Sequence, residues 1–465
     1  MASRALLSFA LVRHGFRALS DDDYSRVVIA QTFAEHPSLD PSKTSWLPFP
    51  FWLYGTLMAG FGKSLATARA VAFIVGLLSA AGVWLAGRWL GLARGACLLG
   101  GLIACFIPYS AWLGMATTPD VCSATLTLLA CCSLSRRNVA IRTLGALAIV
   151  LASLSRYEAW PVAAVCAVFA CVDAVRIKRW PYMLSALIVL APLAMWMLHG
   201  FHLHQDALFF VKRVANYRRA LGLSSSQGLA RLMTTPGRLI SDVPELWALA
   251  LVAGGVATRL NVQRWRRRWV RPSLGILSVI AFLCIGDWRD GAATHHAGRT
   301  LLTAWYFAAV IIAGYLWSAA KIASRRGRTL LAISCAAVCW LTTTVIRPHV
   351  TSTDGSCPRN QEVTIGLLAS THVAMDERLA IDTPDYGYFA VQAAFARPGE
   401  VVVVDNHDPR NPKAHDIFRS NDEVRRGLAN MHTHWIVTTL EHEKTLSGFA
   451  SIHYRGSTLL LAQIR

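Results

Sequence analysis

The 465-residue chain is 54% apolar and only 16% charged, with a mean hydropathy of +0.40. Soluble domains carry about 25% charged residues, so this composition excludes an ordinary cytosolic enzyme, a disordered protein and a disulfide-rich secreted module. The 46 basic residues against 27 acidic ones give a net charge of +19, which points either to nucleic acid or to a membrane.

A transmembrane helix needs about 20 apolar residues to cross a bilayer. Apolar stretches that approach this length recur through residues 1–346. In chain order they lie at 5–19, 65–87, 94–114, 119–135, 142–155, 159–175, 182–199, 243–258, 272–286, 299–319 and 328–346. The sequence therefore predicts a polytopic α-helical membrane protein with about 11 transmembrane helices. We expect 5–19 to be a short or N-terminally truncated first span rather than a signal peptide, since no small-residue cleavage pattern precedes the acidic loop.

The charges between these stretches predict the orientation of the spans. Arg and Lys, but no Asp or Glu, occupy the loops at 88–94, 136–142, 176–179, 259–271 and 321–328. Basic loops stay in the cytoplasm, so the acidic segments, including the first outer loop at 20–64, are expected on the opposite face. Hydrophobic stretches separate the arginines, which favours a membrane over nucleic acid as the partner. We therefore expect a multi-pass protein of the plasma (inner) membrane.

Residues 347–465 differ from the transmembrane region that precedes them. Strand-like runs at Leu379–Asp382, Val401–Asp405, Trp435–Thr439 and Thr458–Ile464 alternate with helical stretches near Glu362–Met375 and Asp422–Met431. This alternation predicts a small C-terminal α/β domain, which we call the tail. The orientation of the spans places it outside the cytoplasm, after a helical domain that covers 1–346.

Three adjacent carboxylates, Asp21, Asp22 and Asp23, open the first outer loop, and Arg26 follows them. Adjacent carboxylates repel one another, so one can keep a proton and act as a base, or the group can hold a divalent cation. Capping of the following helix is the alternative, since acids favour helix N-termini. Later in the loop, Trp46 lies in an aromatic stretch that suits the membrane interface and can also stack on a sugar or a lipid headgroup.

Two further outer segments carry ionisable residues. Asp120 follows Thr117-Thr118-Pro119 at the start of a span, where it is either a helix cap or a partner of the first-loop acids in a metal or phosphate site. Arg156 and Glu158 lie between two short apolar runs. They form either a structural ion pair or part of a phosphate site.

A fourth outer segment holds His295, His296 and Arg299 immediately before a span. These groups suit an anionic phosphate leaving group near a helix N-terminus. Adjacent histidines point apart on a helix, so a two-histidine zinc site is not expected. The sequence contains no P-loop, G-x-S-x-G or H-E-x-x-H motif, which disfavours ATP-driven transport, serine hydrolysis and zinc proteolysis.

Together these features resemble the GT-C membrane glycosyltransferases of family 39, the protein-mannosyltransferase and aminoarabinose-transferase type. The similar elements are the acidic pair Asp22-Asp23 close after the first span, Pro119-Asp120, Arg156-Tyr157-Glu158 and the soluble tail. Arg299-Thr300-Leu301-Leu302 resembles the family's basic element before a span but lacks its Tyr and its Pro. By its spacing to Ile29-Ala30, Asp22 is most similar to the family's catalytic Asp, with Asp23 second.

The resemblance implies a sugar donor on a polyprenyl phosphate and a hydroxyl or amine acceptor on a lipid, protein or glycan outside the cytoplasm. A carboxylate would take the acceptor's proton, which is worth about 10²–10⁴-fold in rate. A divalent cation or arginine would neutralise the leaving phosphate, and no nucleotide cofactor is implied. The site residues are, by role, the base (Asp22, Asp23), a metal pair (Asp22, Asp120), donor-phosphate ligands (Arg156, His295, His296, Arg299) and supporting groups (Asp21, Arg26, Glu158, Trp46).

A transporter or flippase of an anionic lipid or lipid-linked sugar is the alternative function. Transporters place ionisable residues near the bilayer midplane and contain paired, interrupted helices. Here the charged residues gather at the outer ends of the predicted spans, and no two-fold repeat is evident. A membrane-anchored scaffold whose tail binds a partner is a third hypothesis, which the surplus of acids at the outer span ends disfavours.

Overall fold

The computed structural model describes residues 1–178, 180–222, 229–257, 263–289, 297–342, 357–410 and 417–465. Within these ranges the chain is mostly helical, with a five-stranded sheet near its C-terminus. The helices up to residue 178 are α1 (Ala2–Arg13), α2 (Asp21–Glu35), α3 (Phe49–Phe61), α4 (Leu65–Leu90), α5 (Arg94–Phe106), α6 (Pro108–Leu113), α7 (Asp120–Ser133), α8 (Val139–Ser153) and α9 (Ala159–Ile177).

The remaining elements fall into a second helical group and the tail. The helical group comprises α10 (Pro181–His204), α11 (Phe209–Ala220), α12 (Leu229–Leu232), α13 (Thr234–Ser241), α14 (Pro244–Ala257), α15 (Gln263–Trp288), α16 (Ala297–Thr300), α17 (Leu302–Ile322) and α18 (Arg325–Leu341). The tail comprises α19 (Asn360–His372), β1 (Arg378–Ile381), α20 (Tyr388–Phe395), β2 (Val401–Val403), α21 (Asn421–Asn430), β3 (Thr433–Thr439), α22 (Glu443–Ser447), β4 (Ala450–Arg455) and β5 (Leu459–Ile464).

The long apolar helices confirm that this is an integral membrane protein. Within the described ranges, five helices have the length and composition to cross a bilayer: α4, α9, α10, α17 and the 268–288 part of α15. Helices α5, α7 and α8 are apolar but shorter. Each apolar stretch that the sequence predicts contains a helix, although the number of about 11 crossings stays a prediction.

Two of the predicted stretches differ from a single straight helix. The stretch 94–114 divides into α5 and α6 because Pro108 lacks an N–H and forces the preceding residue out of the helical conformation. The first stretch, predicted to extend to residue 19, ends as a helix at Arg13. The chain then runs without a helix to Ser20, which caps α2. This second departure places non-helical backbone next to the first-loop acids, since the N–H groups of Leu19 and Ser20 donate to Asp23.

Small residues allow the helices around this region to approach closely. Gly76 of α4 lies so near the turn after α6 that a Cβ atom there would overlap the carbonyl oxygen of Gly114. Ser79 of α4 also shares a hydrogen bond of 2.8 Å with Thr125 of α7. This packing fixes the segment that connects Gly114 to α7. Thr117 in this segment contacts the beginning of α2.

The tail confirms the predicted α/β domain. Its sheet has the order β2-β1-β3-β5-β4, in which β1 pairs in parallel with β2 and β3, and β5 pairs antiparallel with β3 and β4. Two apolar clusters pack against the sheet, one that includes residues of α19 and α20 and one that includes residues of α21 and α22. Helices α20 and α22 and strand β4 were not predicted from the sequence. Strand β4 (Ala450–Arg455) is mostly exposed at the sheet edge, so it lacks the alternating apolar pattern of a buried strand.

The tail packs directly on α2. An apolar cluster joins Tyr24, Val27 and Ala30 of α2 to Ala390 and Ala393 of α20. At the edge of this cluster, the backbone N–H of Cys357 donates to the carbonyl oxygen of Ala18 at 2.9 Å. The first loop and the tail therefore form one packed unit, although the whole transmembrane region separates them in sequence.

Candidate active site

A cavity of about 570 Å³ lies where the first loop, the beginning of α7, the segment before α9, helix α11 and the tail meet. The charged residues that line it are Asp21, Asp22, Arg26, Asp120, Arg156, Glu158, Arg213, Arg299, Asp408 and Arg410. The acids and arginines from separate sequence segments that were predicted to share one site are thus brought together. Their chemical roles stay predictions.

Asp22 is the acid of the first turn of α2 that remains most accessible. Its side chain is 34% exposed, and one of its oxygens lies 3.7 Å from Nη1 of Arg299. Arg299, on α16, is only 4% exposed, and its Nη2 donates to the hydroxyl of Ser20 at 3.1 Å. Arg299 therefore neutralises part of the charge on Asp22 without closing it off from the cavity.

Asp23 has a different environment, although it is the next residue. It is 4% exposed, and its Oδ2 accepts from the backbone N–H groups of Leu19 and Ser20 at 3.1 Å each. Its Oδ1 accepts from the N–H of Thr117 at 2.8 Å. Burial raises the pKa of Asp23, against the opposing effects of Arg299 and these N–H donors. Helix capping was the alternative explanation for the acidic turn, and it applies to Asp23, which takes part in a capping box with Ser20. Asp23 does not line the cavity.

Asp120, Arg156 and Glu158 form a buried ion cluster. Nη1 of Arg156 donates to Asp120 at 2.6 Å, while Nε and Nη2 donate to one oxygen of Glu158 at 2.9 and 2.7 Å. Asp120 and Glu158 are 2% and 7% exposed. Burial alone lowers the pKa of Arg156, but the two carboxylates more than compensate and raise it above its usual range. Three nitrogens of this guanidinium are thus engaged by protein carboxylates, although Arg156 was predicted to bind the donor phosphate.

Arg26 and Trp46 lie together on the first-loop side of the cavity. The guanidinium carbon of Arg26 is 4.3 Å from the ring centroid of Trp46 and 5.6 Å from that of Phe51. Burial lowers the pKa of Arg26 to about 10, while the nearby charge of Asp22 opposes this shift. Trp46 was predicted to stack on a sugar or headgroup, and the partner on its ring here is the Arg26 cation.

Two of the sequence predictions, the phosphate contact of the histidines and the metal pair, stay predictions. His295 and His296 lie outside the described residues, and their contact with the donor phosphate stays a prediction. Among the residues that are described, no group of three or more His, Cys, Asp or Glu side chains could hold a metal ion. Asp22 and Asp120 line the same cavity, but one oxygen of Asp120 is engaged by Arg156.

The wall of the cavity formed by α11 and the tail was not predicted from the sequence. Tyr217 of α11 lies 3.5 Å, oxygen to oxygen, from Tyr386 of the tail, and the Arg410 guanidinium lies 5.3 Å from the Tyr217 ring centroid. Arg410 in turn donates to Asp408 at 2.8 Å. The basic, amphipathic pattern of α11 was a usable signal for a surface helix. The tail residues gave no such signal, because only the folded sheet brings their loops to the cavity.

Comparisons with known proteins agree with this architecture. No protein-family model matches the chain, and no curated protein matches it. Solved structures of ArnT from Cupriavidus metallidurans are similar in fold. The structure of ArnT bound to undecaprenyl phosphate has a TM-score of 0.62 at 13% identity, over 99% of this chain and 96% of that one. The apo structure has a TM-score of 0.57 at 12% identity, over 98% and 97%. The chain therefore has an ArnT-like fold, as the resemblance seen in the sequence implied.

Proposed function

We propose that this protein is an inverting sugar transferase that uses a polyprenyl-phosphate sugar as donor, with Asp22 as the general base. The observation that carries this proposal is the contrast within the acidic turn. Asp22 is accessible at a cavity with Arg299 beside it, whereas Asp23 is buried and hydrogen-bonded. A general base must reach the proton that it removes, and Asp22 meets this requirement.

In the proposed reaction, the acceptor oxygen or nitrogen attacks the anomeric carbon of the donor sugar from the side opposite the phosphate. The acceptor's proton moves to a carboxylate oxygen of Asp22 as the new glycosidic bond forms. The bond from the anomeric carbon to the phosphate oxygen breaks, and its electron pair leaves with the polyprenyl phosphate. One base and one displacement suffice, so the configuration at the anomeric carbon is inverted.

Arg26 and Arg299 are the cations best suited to stabilise the departing phosphate. Both line the cavity, and the Nε of each is buried without a hydrogen-bond partner among the described residues. An anionic oxygen would satisfy such donors and would gain from their charge in a site with little water. Arg156 is less suited, since its nitrogens already hold Asp120 and Glu158. We therefore assign Arg156 to the support of the acids.

The fold and the membrane setting support the proposed donor class. ArnT, which has a similar fold, binds undecaprenyl phosphate. A lipid-linked donor also explains why the cavity belongs to a protein with long apolar helices. We expect the acceptor to be a lipid, protein or glycan outside the cytoplasm, with the tail on that side of the plasma (inner) membrane. Asp22 and Asp120 would be the carboxylate ligands of a divalent cation, but the described residues hold no group of three or more candidate ligands, and the reaction above is derived without a metal.

The proposal is tested by incubating the purified chain in nanodiscs with a panel of polyprenyl-phosphate sugars and a membrane extract as source of acceptors. Release of free polyprenyl phosphate together with a glycosylated product of inverted configuration is expected. The same reactions with a chelator determine whether a metal is needed. Movement of the lipid across liposomes without any glycosidic product would instead favour a flippase and contradict the proposal.

A further inference from the structure

Asp21, the first acid of the α2 turn, is bound by the tail. Nε of Arg359 donates to Oδ1 of Asp21 at 2.9 Å, and Nη2 donates to Oδ2 at 3.0 Å. The same guanidinium lies 3.1 Å from Glu362 and 2.9 Å from Asp385, both in the tail. A planar guanidinium can hold a carboxylate with two parallel hydrogen bonds, which fixes orientation as well as distance. One side chain therefore ties the first loop to two tail carboxylates.

Two backbone contacts flank this ion pair. The hydroxyl of Tyr24 donates to the carbonyl oxygen of Pro358 at 2.9 Å, and the N–H of Cys357 donates to Ala18 at 2.9 Å. The tail segment 357–359 thus follows one side of the turn that begins α2. Thr117 holds the other side of that turn through Asp23. Asp22 lies between the two attachments.

The backbone of Arg359 supports a specific role for its side chain. Its φ is 44°, in the left-handed region that residues other than glycine rarely adopt. Such a conformation persists where the surrounding contacts over-determine it, and here those contacts are the three carboxylates around the guanidinium. The side chains of Arg359 and Asp21 are only 17% and 24% exposed, so solvent screens this pair less than a surface pair.

We infer that Arg359 is a positioning residue of the active site, which holds the α2 turn so that Asp22 faces the cavity and which neutralises the neighbouring Asp21. This inference rests on the proposed function, because it assigns the tail a part in the same reaction. Without the guanidinium, Asp21, Glu362 and Asp385 are left as carboxylates close to one another. Their repulsion detaches the turn from the tail and adds an uncompensated charge beside the base.

The test compares Arg359→Ala and Arg359→Lys with wild type in the full-length chain in nanodiscs. The matched control is Arg455→Ala, which removes another tail ion pair, with Glu443 at 2.9 Å. For Arg359→Ala we expect kcat to fall by about 10- to 100-fold, as misplacement of a catalytic group by about 1 Å can cause. KM for the donor stays within about twofold, because no donor contact is removed. Lysine, which cannot make the two parallel bonds, gives an intermediate kcat.

Two further readouts separate positioning from simple loss of structure. Guanidinium ion, added well below denaturing concentrations, is expected to restore part of the kcat of Arg359→Ala and none for Arg455→Ala. Hydrogen exchange of the amides at 21–27 is expected to accelerate in Arg359→Ala only, and this measurement needs no enzymatic activity. If exchange accelerates while kcat stays at the wild-type value, Arg359 is a structural contact only and the inference is wrong. Unchanged exchange would also overturn it.

A wild-type chain that transfers no sugar from any donor would contradict the proposed function by itself. Accelerated exchange at 21–27 in Arg359→Ala would still support the part of the inference in which the tail orders this turn. The failure of one proposal is therefore distinguishable from the failure of the other.

Discussion

Replacement of Arg156 by alanine tests whether the buried acids of the cavity depend on one cation. The Arg156 guanidinium donates to Asp120 at 2.6 Å and to Glu158 at 2.9 Å, and these acids are 2% and 7% exposed. Removing one partner of a buried ion pair costs about 3–5 kcal/mol, because the other charge stays buried without compensation. Here two carboxylates lose the same cation, so we expect a loss near the upper end, about 5 kcal/mol.

The assay is the free energy of unfolding in detergent micelles, obtained from urea titrations of the wild type and the variants. Arg455→Ala is again the control, since its pair with Glu443 has side chains that are 64% and 26% exposed. Exposed pairs contribute about 0–1 kcal/mol, so this variant should remain close to wild type. Arg156→Lys keeps the charge but not the fork of donors, and its stability should lie between those of wild type and Arg156→Ala. If Arg156→Ala lowered the free energy of unfolding by less than about 1 kcal/mol, the reasoning would be refuted, because buried carboxylates without a cation destabilise a fold by more than this.

Two further predictions concern the α2 turn and the tail wall of the cavity. Thr117→Val removes the hydroxyl that donates to the Asp23 carbonyl at 2.7 Å, and we expect a loss of about 1 kcal/mol in the free energy of unfolding together with slower turnover. If the stability and the turnover of Thr117→Val both equalled those of wild type, the contact between Thr117 and Asp23 would not order α2. Hydrogen bonding to Arg410 lowers the pKa of Asp408, so this pair stabilises the fold above the ordinary carboxyl pKa of 3.8 and loses its contribution as pH falls through the lowered value. In Asp408→Asn the melting temperature should therefore fall at neutral pH and decline less steeply in acid, and curves parallel to wild type would contradict this.

The transmembrane helices could be predicted from the sequence because their signal is local. The runs at 65–87 and 159–175 are apolar enough that length and composition alone define them, and the structure places α4 and α9 there. The break at Pro108 was also a local signal, since proline disfavours a continuous helix. It did not divide the predicted span, because the apolar residues continue on both sides of Pro108.

The candidate site could be predicted only in part. The sequence identified the acids of the first loop, and the family resemblance ranked Asp22 before Asp23. The residue types alone could not separate the two, because both are first-turn residues that a helix N-terminus favours. Their difference arises from Thr117, which reaches Asp23 through the packing of α4, α6 and α7. The tail's contribution could not be predicted either. Asp21 and Arg359 are 338 positions apart, and no local pattern encodes such a pair.

The central claim is that Asp22 removes the acceptor's proton in the cavity that it shares with Asp120. The most direct measurement is the single-turnover rate of sugar transfer by Asp22→Asn in nanodiscs, with Asp206→Asn as the matched control. Asp206 pairs with exposed Lys212 and is not among the described residues that line the cavity. Our account predicts that Asp22→Asn transfers sugar about 10²–10⁴-fold more slowly while it still folds and binds donor, and that Asp206→Asn keeps the wild-type rate. Transfer by Asp22→Asn at the wild-type rate would contradict the account.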